Sequence, residues 1–240
     1  MRGLLYKDVV ANRLNVICMG MVIVYLTLFM SFLIWDTNKN GASADDILSI
    51  YVSLLTGITA LNFSLPAFGL DCSFGDVKTK WNTYAMALPG GYRRMILAKY
   101  LLGIIGHVLA IVCSFVMILV CSIASDIEID LKLPVMLMLV MTGTMLIVQA
   151  AVMPFILKSH AGLVRIILGI GLLLALYGIF AYLAFGDISF FEEDDILFRI
   201  IMWVAHHENK IWMFCWGLLG TGVVLEVLSY FVTVKTYLKD

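Results

Sequence analysis

Apolar residues recur along this chain in long runs that short polar segments separate. Six runs are long enough to cross a bilayer, which takes about 20 residues in a helix. They cover Asn15–Trp35, Ile47–Leu70, Leu97–Ala124, Leu133–Phe155, Leu163–Phe185 and Ile211–Val234. No internal repeat or low-complexity linker divides them. The pattern predicts an all-α membrane protein with six transmembrane helices in a single domain, residues 1–240.

Composition narrows the class of protein further. Hydrophobic residues make up 62% of the 240 residues and charged residues 14%, against about 45–50% and about 25% in soluble domains. The residues left over for loops are too few for a catalytic domain of ordinary size. There is no basic stripe for nucleic acid, and the five cysteines form no CxxC pair. Neither a disulfide framework nor a zinc site is therefore expected.

The distribution of basic residues predicts the orientation in the membrane. Twelve of the sixteen Lys and Arg residues fall in four segments, namely 1–14, 71–99, 154–165 and 235–240. The positive-inside rule places these segments in the cytoplasm, together with both chain termini. The segments expected outside are acidic, and they are Asp36–Asp46, Ser125–Lys132 and Gly186–Lys210.

The last external segment has two parts. Its first part is acidic, whereas Ile196–Ala205 is apolar but too short to span a bilayer. We expect a re-entrant or interfacial helix there, between the last two spans. His206, His207 and Glu208 follow, but their spacing matches no metal-binding motif, which favours a solvated loop.

The longest cytoplasmic segment carries an amphipathic helix pattern. Ser73 and Asp76 have the spacing of a capping box that begins a helix. Apolar side chains then recur on one helix face, and Pro89-Gly90-Gly91 ends the pattern. That face consists of Phe74, Val77, Trp81, Tyr84 and Leu88. Two interpretations stay open: a helix resting on lipid headgroups with Trp81 as its anchor, or a docking helix for a cytoplasmic partner.

Several of these residues also carry a resemblance to a known family. Leu4, Leu5, Lys7 and Asp8 precede the first span. After the second span come Asp71, Phe74, Asp76, Trp81, Leu88-Pro89, the basic pair Arg93 and Arg94, and Ala98-Lys99-Tyr100-Leu101. With six spans, this chain resembles the permease subunit of an ABC-2-type (type V) exporter. Within that family it is similar to the small permeases that export amphipathic peptides, the phenol-soluble-modulin exporters.

The resemblance implies an assembly and a set of functional residues. Two permease chains, identical or related, would lie side by side in the plasma membrane of a bacterium, with the conduit between them. Each would bind a separate ABC ATPase chain through its 71–99 loop. The coupling residues would be Phe74, Asp76, Val77, Trp81, Tyr84, Leu88, Arg93 and Arg94.

Nucleotide would be bound outside this chain. The sequence contains no GxxxxGK[ST] phosphate-binding loop, so the partner ATPase would hold ATP and Mg²⁺. Membrane lipid and an amphipathic peptide substrate are the other expected partners. We expect no catalytic residue, cofactor or metal in this chain itself.

Polar residues within the spans are the remaining candidates for function, because ionisable groups in a bilayer are costly. His107 and Glu226 lie at similar depths in the third and sixth spans, about 15 Å and about 12 Å from the inner ends at the rise of an α-helix. We predict that Glu226 is uncharged or partnered, with His107 as the favoured partner, and that Gln149 forms a hydrogen bond between helices. The alternative for His107 and Glu226 is a site for a proton or a substrate charge. A small polar face on the second span consists of Ser49, Ser53 and Thr56 and is continued by Asn62. Two interpretations stay open for it: a border of the conduit, or helix packing.

Two other classes of protein compete with the transporter. An intramembrane enzyme of the protease type would need paired catalytic groups at one depth with metal-ligand or acid–base spacing. Only His107 and Glu226 qualify, and they are too few. A non-transporting membrane scaffold or immunity protein is the third class. The docking-helix pattern of the 71–99 loop argues against it.

Overall fold

The chain forms a bundle of long helices. The computed structural model describes residues 2–40, 44–78, 91–124, 131–158 and 206–237, together with Gly171 and Gly178. Within these ranges the helices are α1 (Arg2–Ala11), α2 (Arg13–Asn40), α3 (Ala44–Lys78), α4 (Gly91–Ala124), α5 (Lys132–Lys158) and α6 (Glu208–Tyr237).

Five of these helices, α2 to α6, are long and apolar enough to cross a membrane. They correspond to the first four predicted spans and to the sixth. The fifth predicted span, Leu163–Phe185, lies outside the described residues except for two glycines whose backbone is helical. The short helix expected at Ile196–Ala205 also lies outside them.

The helices extend beyond the predicted apolar runs, although the predicted span Ile47–Leu70 agrees with the membrane-crossing part of α3, Leu48–Leu70. α2 continues to Asn40 and α3 begins at Ala44, so most of the predicted loop Asp36–Asp46 is helical. α4 begins at Gly91 rather than at Leu97. Charged and polar residues remain helical once an apolar turn has nucleated the helix, because each added residue gains one backbone hydrogen bond.

The predicted helix start at Ser73 is wrong. α3 runs without a break through Lys78, and Ser73 lies inside it. Its hydroxyl donates a hydrogen bond to the Gly69 carbonyl at 2.9 Å. A serine that bonds to a carbonyl of the preceding turn belongs to a continuing helix and does not cap a new one.

Small residues allow α3 and α4 to cross at close range. A Cβ atom added at Gly69 would lie 2.9 Å from the Cα atom of Gly103, and one added at Gly106 would lie 2.6 Å from the Leu65 carbonyl oxygen. Ala110 and Ser114 continue this face of α4 and are fully buried. Gly106, Ala110 and Ser114 therefore form a helix-packing face of α4.

A second close crossing joins α5 and α6. A Cβ atom added at Gly143 would lie 3.0 Å from the backbone of Leu218, and one added at Gly222 would lie 2.9 Å from the Cβ atom of Leu146. Without a hydrophobic driving force between helices in lipid, such close contact is a main source of helix association. These two crossings place α3, α4, α5 and α6 around a common core.

Large apolar side chains cover the outward surfaces of the bundle. On α2 the side chain of Leu28 is 65% exposed, and on α4 that of Ile123 is 81% exposed. Surfaces of this kind suit hydrocarbon and not water. With its five long apolar helices, this chain is an integral membrane protein.

Candidate functional site

α4 presents polar side chains to the core at a fixed interval. Tyr100, His107 and Ser114 follow one another every seven residues, which is about two helical turns and keeps them on one face. All three are buried, and each bonds to neighbouring helices. α4 is therefore the helix through which the polar groups of the core are connected.

The central cluster joins three helices through one glutamine. Nε2 of His107 lies 3.1 Å from Oε1 of Gln149, and Nε2 of Gln149 donates to Oε1 of Glu226 at 2.8 Å. His107 and Glu226 thus belong to one hydrogen-bonded chain, as their depths suggested, but Gln149 lies between them. The predicted hydrogen-bonding role of Gln149 between helices is confirmed, whereas its position as the bridge was not foreseen.

Each end of this hydrogen-bonded series has an atom with no hydrogen-bond partner in the part of the protein that the structure describes. These atoms are Nδ1 of His107 and Oε2 of Glu226, and both are buried. Gln149 itself is 1% exposed. Within the described ranges, the only hydrogen bonds of these two ionisable side chains are made to the Gln149 amide, so this residue holds α4, α5 and α6 together at the centre of the bundle.

A second cluster connects α3, α4 and α5. Nδ2 of Asn62 donates to Oγ of Ser114 at 2.9 Å, and Oγ1 of Thr142 donates to Oδ1 of Asn62 at 2.9 Å. Asn62 also donates to the Ile58 carbonyl of its own helix. All of these polar atoms are satisfied within the bundle, which identifies Asn62 as a packing residue of the core.

A third cluster joins α4 to α6. The hydroxyl of Tyr100 lies 2.7 Å from Oγ of Ser229 and 2.9 Å from Oγ1 of Thr233. Ser229 in turn donates to the Ala150 carbonyl of α5 at 2.6 Å. Thr233 follows Glu226 at the same interval of seven residues that separates Tyr100 from His107.

A buried ion pair fixes the N-terminal helix to the bundle. Nζ of Lys99 lies 2.9 Å from Oδ2 of Asp8, and the two side chains are 1% and 3% exposed. The Lys99 ammonium also donates to the Cys72 carbonyl at 3.1 Å. One cation of α4 thereby contacts both α1 and the last part of α3.

Further contacts hold α1 against α3. Nδ2 of Asn12 lies 3.4 Å from the Cys72 sulfur and 3.0 Å from the Asp8 carbonyl oxygen. Lys7 adds an ion pair to the other Asp8 oxygen at 3.2 Å. Sequence reasoning did not single out Asp8 and Lys99 as partners. The sequence feature that could have indicated this pair is that Asp8 and Lys99 each belong to a short motif of the family resemblance.

At the opposite end of the bundle, an exposed ion pair connects α5 and α6. Nζ of Lys132 lies 2.9 Å from Oε1 and 3.0 Å from Oε2 of Glu208. His206 and His207 lie beside it with ring centroids 5.2 Å apart. In the part of the chain that the structure describes, no three His, Cys, Asp or Glu residues are arranged to hold a metal ion.

Comparison with known proteins identifies the family. A family model described as "ABC-2 family transporter protein" matches residues 3–238. The chain belongs to the ABC-2 transporter family. It is therefore a permease, the membrane component of an ABC transporter, and its family implies a partnering ABC ATPase subunit. No curated protein and no solved structure matches the chain significantly.

The structure describes only part of the predicted coupling segment of this ABC-2 permease. Phe74, Asp76 and Val77 lie in the last turns of α3. Arg93 and Arg94 lie in the first turn of α4, and both are exposed. The remaining predicted coupling residues lie outside the described residues, and they are Trp81, Tyr84 and Leu88.

The predicted conduit residues of the permease fall into two groups. Ser49 and Thr56 lie on the exposed surface of α3, and Ser53 is half-buried. Asn62, His107 and Glu226 are enclosed in the core and bond to other helices. The structure thus separates a polar surface stripe from the internal polar clusters.

Proposed function

We propose that this chain is the permease subunit of an ATP-driven exporter. Two permease chains form the conduit between them, and each binds a separate ABC ATPase through the segment that joins α3 to α4. The observation that carries this proposal is the family match over residues 3–238. The long apolar helices of the bundle supply the membrane path.

The proposed substrates are amphipathic peptides or other hydrophobic molecules. An apolar cavity of about 120 Å³ lies between α2, α3 and α4, with Leu61, Val112 and Met117 among its lining residues. Its lining includes one hydroxyl group, that of Thr27, and this group already donates to the Ile23 carbonyl. Such a surface accepts an apolar side chain or an acyl chain and disfavours a charged group, which supports a substrate with an apolar face.

The exposed stripe of Ser49, Ser53 and Thr56 is our candidate for the conduit border. The Thr56 hydroxyl donates a hydrogen bond to the Val52 carbonyl at 2.8 Å. This surface can therefore contact either lipid or the apolar face of a substrate without a large desolvation cost. We assign Asn62, His107 and Glu226 to helix packing, because their bonds are made inside one chain.

The orientation can be tested by thiol labelling. In a background without native cysteines, a cysteine at position 78 should react with a membrane-impermeant maleimide only after the cells are opened. A cysteine at position 194 should react in intact cells. The expectation follows from the basic residues that cluster in the 71–99 segment. Labelling of position 78 from outside intact cells would refute the six-span orientation.

ATPase docking can be tested at Trp81. A tagged permease purified from native membranes should bring with it a protein that contains a Walker A motif. Trp81→Ala should reduce the retained ATPase at least about tenfold, because buried aromatic anchors commonly contribute about 2 kcal/mol or more to an interface. Thermal stability of the isolated permease should stay the same.

Trp216 provides a matched control for this test. It lies on α6 with 59% of its surface exposed, far along the chain from the coupling segment. Trp216→Ala should leave ATPase retention at the wild-type level. If Trp81→Ala retains the ATPase but lowers thermal stability, Trp81 is a lipid anchor and the docking role of the helix is wrong.

A further inference from the structure

Lys99 occupies the place where three helices meet next to the proposed coupling segment. Residues 79–90 join the end of α3 to the start of α4. Cys72 lies about 9 Å before the last residue of α3, and Lys99 lies about 12 Å after the first residue of α4, at the rise of an α-helix. The Lys99 ammonium contacts the carbonyl of Cys72 and the carboxylate of Asp8 on α1.

Stability alone does not account for an ion pair at this place. Removing two charges from water costs several kcal/mol per ion, and well-packed apolar residues of similar volume often serve stability equally well or better. An ion pair instead fixes the relative positions of the helices that carry its partners, because its hydrogen bonds are directional. Three directed contacts meet at Lys99 and Asp8, from α1, α3 and α4.

We propose that Lys99 and Asp8 are positioning residues for the coupling of ATP hydrolysis to movement of the spans. They bind α1 and the adjoining ends of α3 and α4 into one rigid unit. A displacement of residues 79–90 by the ATPase then moves α3 and α4 together, because the first turns of α4 cannot bend away from α3. This inference rests on the proposed function, in which the ATPase binds that segment.

The charge of the pair can be separated from its packing by a double substitution. Asp8→Leu with Lys99→Met removes both ions and keeps similar volumes. We expect the thermal stability of the isolated permease and the amount of retained ATPase to equal or exceed the wild-type values. Stimulation of ATP hydrolysis by the permease, measured in lipid nanodiscs against the released ATPase alone, should fall at least about fivefold, the lower end of common coupling energies.

Two further variants complete this experiment. Asp8→Glu keeps the charge and should retain most of the stimulation. Lys132→Met with Glu208→Leu removes the exposed pair of α5 and α6 and should change nothing. Wild-type stimulation in the apolar double variant would overturn the inference. The inference would also be overturned if Asp8→Glu, or the Lys132→Met and Glu208→Leu control, lost as much stimulation of ATP hydrolysis as the apolar double variant.

Cys72 offers an independent measurement in the wild-type pair. Cys72 is 1% exposed, and its thiol lies against Asn12, the residue that directly follows α1. In a chain where Cys72 is the sole cysteine, maleimide should label it slowly, and at the same rate with and without a non-hydrolysable ATP analogue. Faster labelling with the analogue would show that α1 separates from α3 during the cycle, which overturns the rigid unit.

The inference and the proposed function fail in different ways. If the tagged wild-type permease retains no Walker A protein from native membranes, the proposed function is wrong. If the wild-type complex forms and stimulates ATP hydrolysis while the apolar double variant does the same, only the positioning role of Lys99 and Asp8 is wrong.

Discussion

Gln149→Leu should destabilise the bundle by about 3–5 kcal/mol. Among the described residues, the substitution removes the only hydrogen-bond partner of the His107 ring and of the Glu226 carboxyl group. Each buried polar group that loses its partner costs about 1–3 kcal/mol, and charged groups cost more. Chemical or thermal unfolding of the purified permease in detergent measures the loss.

Thr144→Val is the matched control for this substitution. Thr144 lies on the same helix, is 3% exposed and donates only to the Val140 carbonyl of its own turn. Its replacement should cost less than about 1 kcal/mol, the net contribution of one ordinary hydrogen bond. Equal losses in the two variants would contradict the bridging role of Gln149.

The partners of Gln149 add a test of coupling. Glu226→Gln should be mild, because its amide oxygen can still accept the hydrogen bond from Gln149. Glu226→Leu combined with Gln149→Leu should be less harmful than the sum of the two single changes, since each single change already breaks the same bond. Additive losses would show that the bond between Gln149 and Glu226 contributes little.

Asp8→Asn should lower the stability of the permease by a similar amount, about 3–5 kcal/mol, the usual cost of removing one partner from a buried ion pair. The asparagine cannot supply the negative charge that lies 2.9 Å from the Lys99 ammonium. The difference from wild type should persist in molar salt, because ions screen buried charges far less than exposed ones. Unfolding midpoints at low and high salt measure both effects.

Lys132→Met is the control at an exposed ion pair. Its partner is Glu208, and the two side chains are 59% and 39% exposed. Surface pairs usually contribute less than about 1 kcal/mol, so this change should have little effect at any salt concentration. If Asp8→Asn lowers the free energy of unfolding as little as Lys132→Met does, the buried ion pair does not stabilise the permease as predicted.

The sequence predicted the spans well because apolar length is the main requirement for crossing a bilayer. The helices extend beyond the predicted spans, as α4 shows by beginning at Gly91. The capping-box pattern at Ser73 failed because a serine hydroxyl bonds to a preceding carbonyl as readily as to a following amide. Which of the two it does depends on whether the helix continues, and that depends on tertiary contacts.

The polar clusters were foreseen only in outline. The cost of buried polar groups marked His107, Gln149 and Glu226 as residues that need partners, and depth placed them near one another. Their order in the chain of hydrogen bonds depends on helix rotation, which a single sequence does not fix. Lys99 was used only for membrane orientation and as part of a family motif, and nothing in its local pattern indicates a carboxylate from residue 8.

The interval of seven residues between the polar groups of α4 restricts how this helix can move. α5 repeats it at Thr142 and Gln149, and α6 repeats it at Glu226 and Thr233. If α4 slid along its axis by one turn, about 5.4 Å, its polar groups would face apolar neighbours. Only a slide of about 10.5 Å would restore the register. The hydrogen bonds of α4 therefore oppose an axial slide of this helix and favour movement of α3, α4, α5 and α6 as one body.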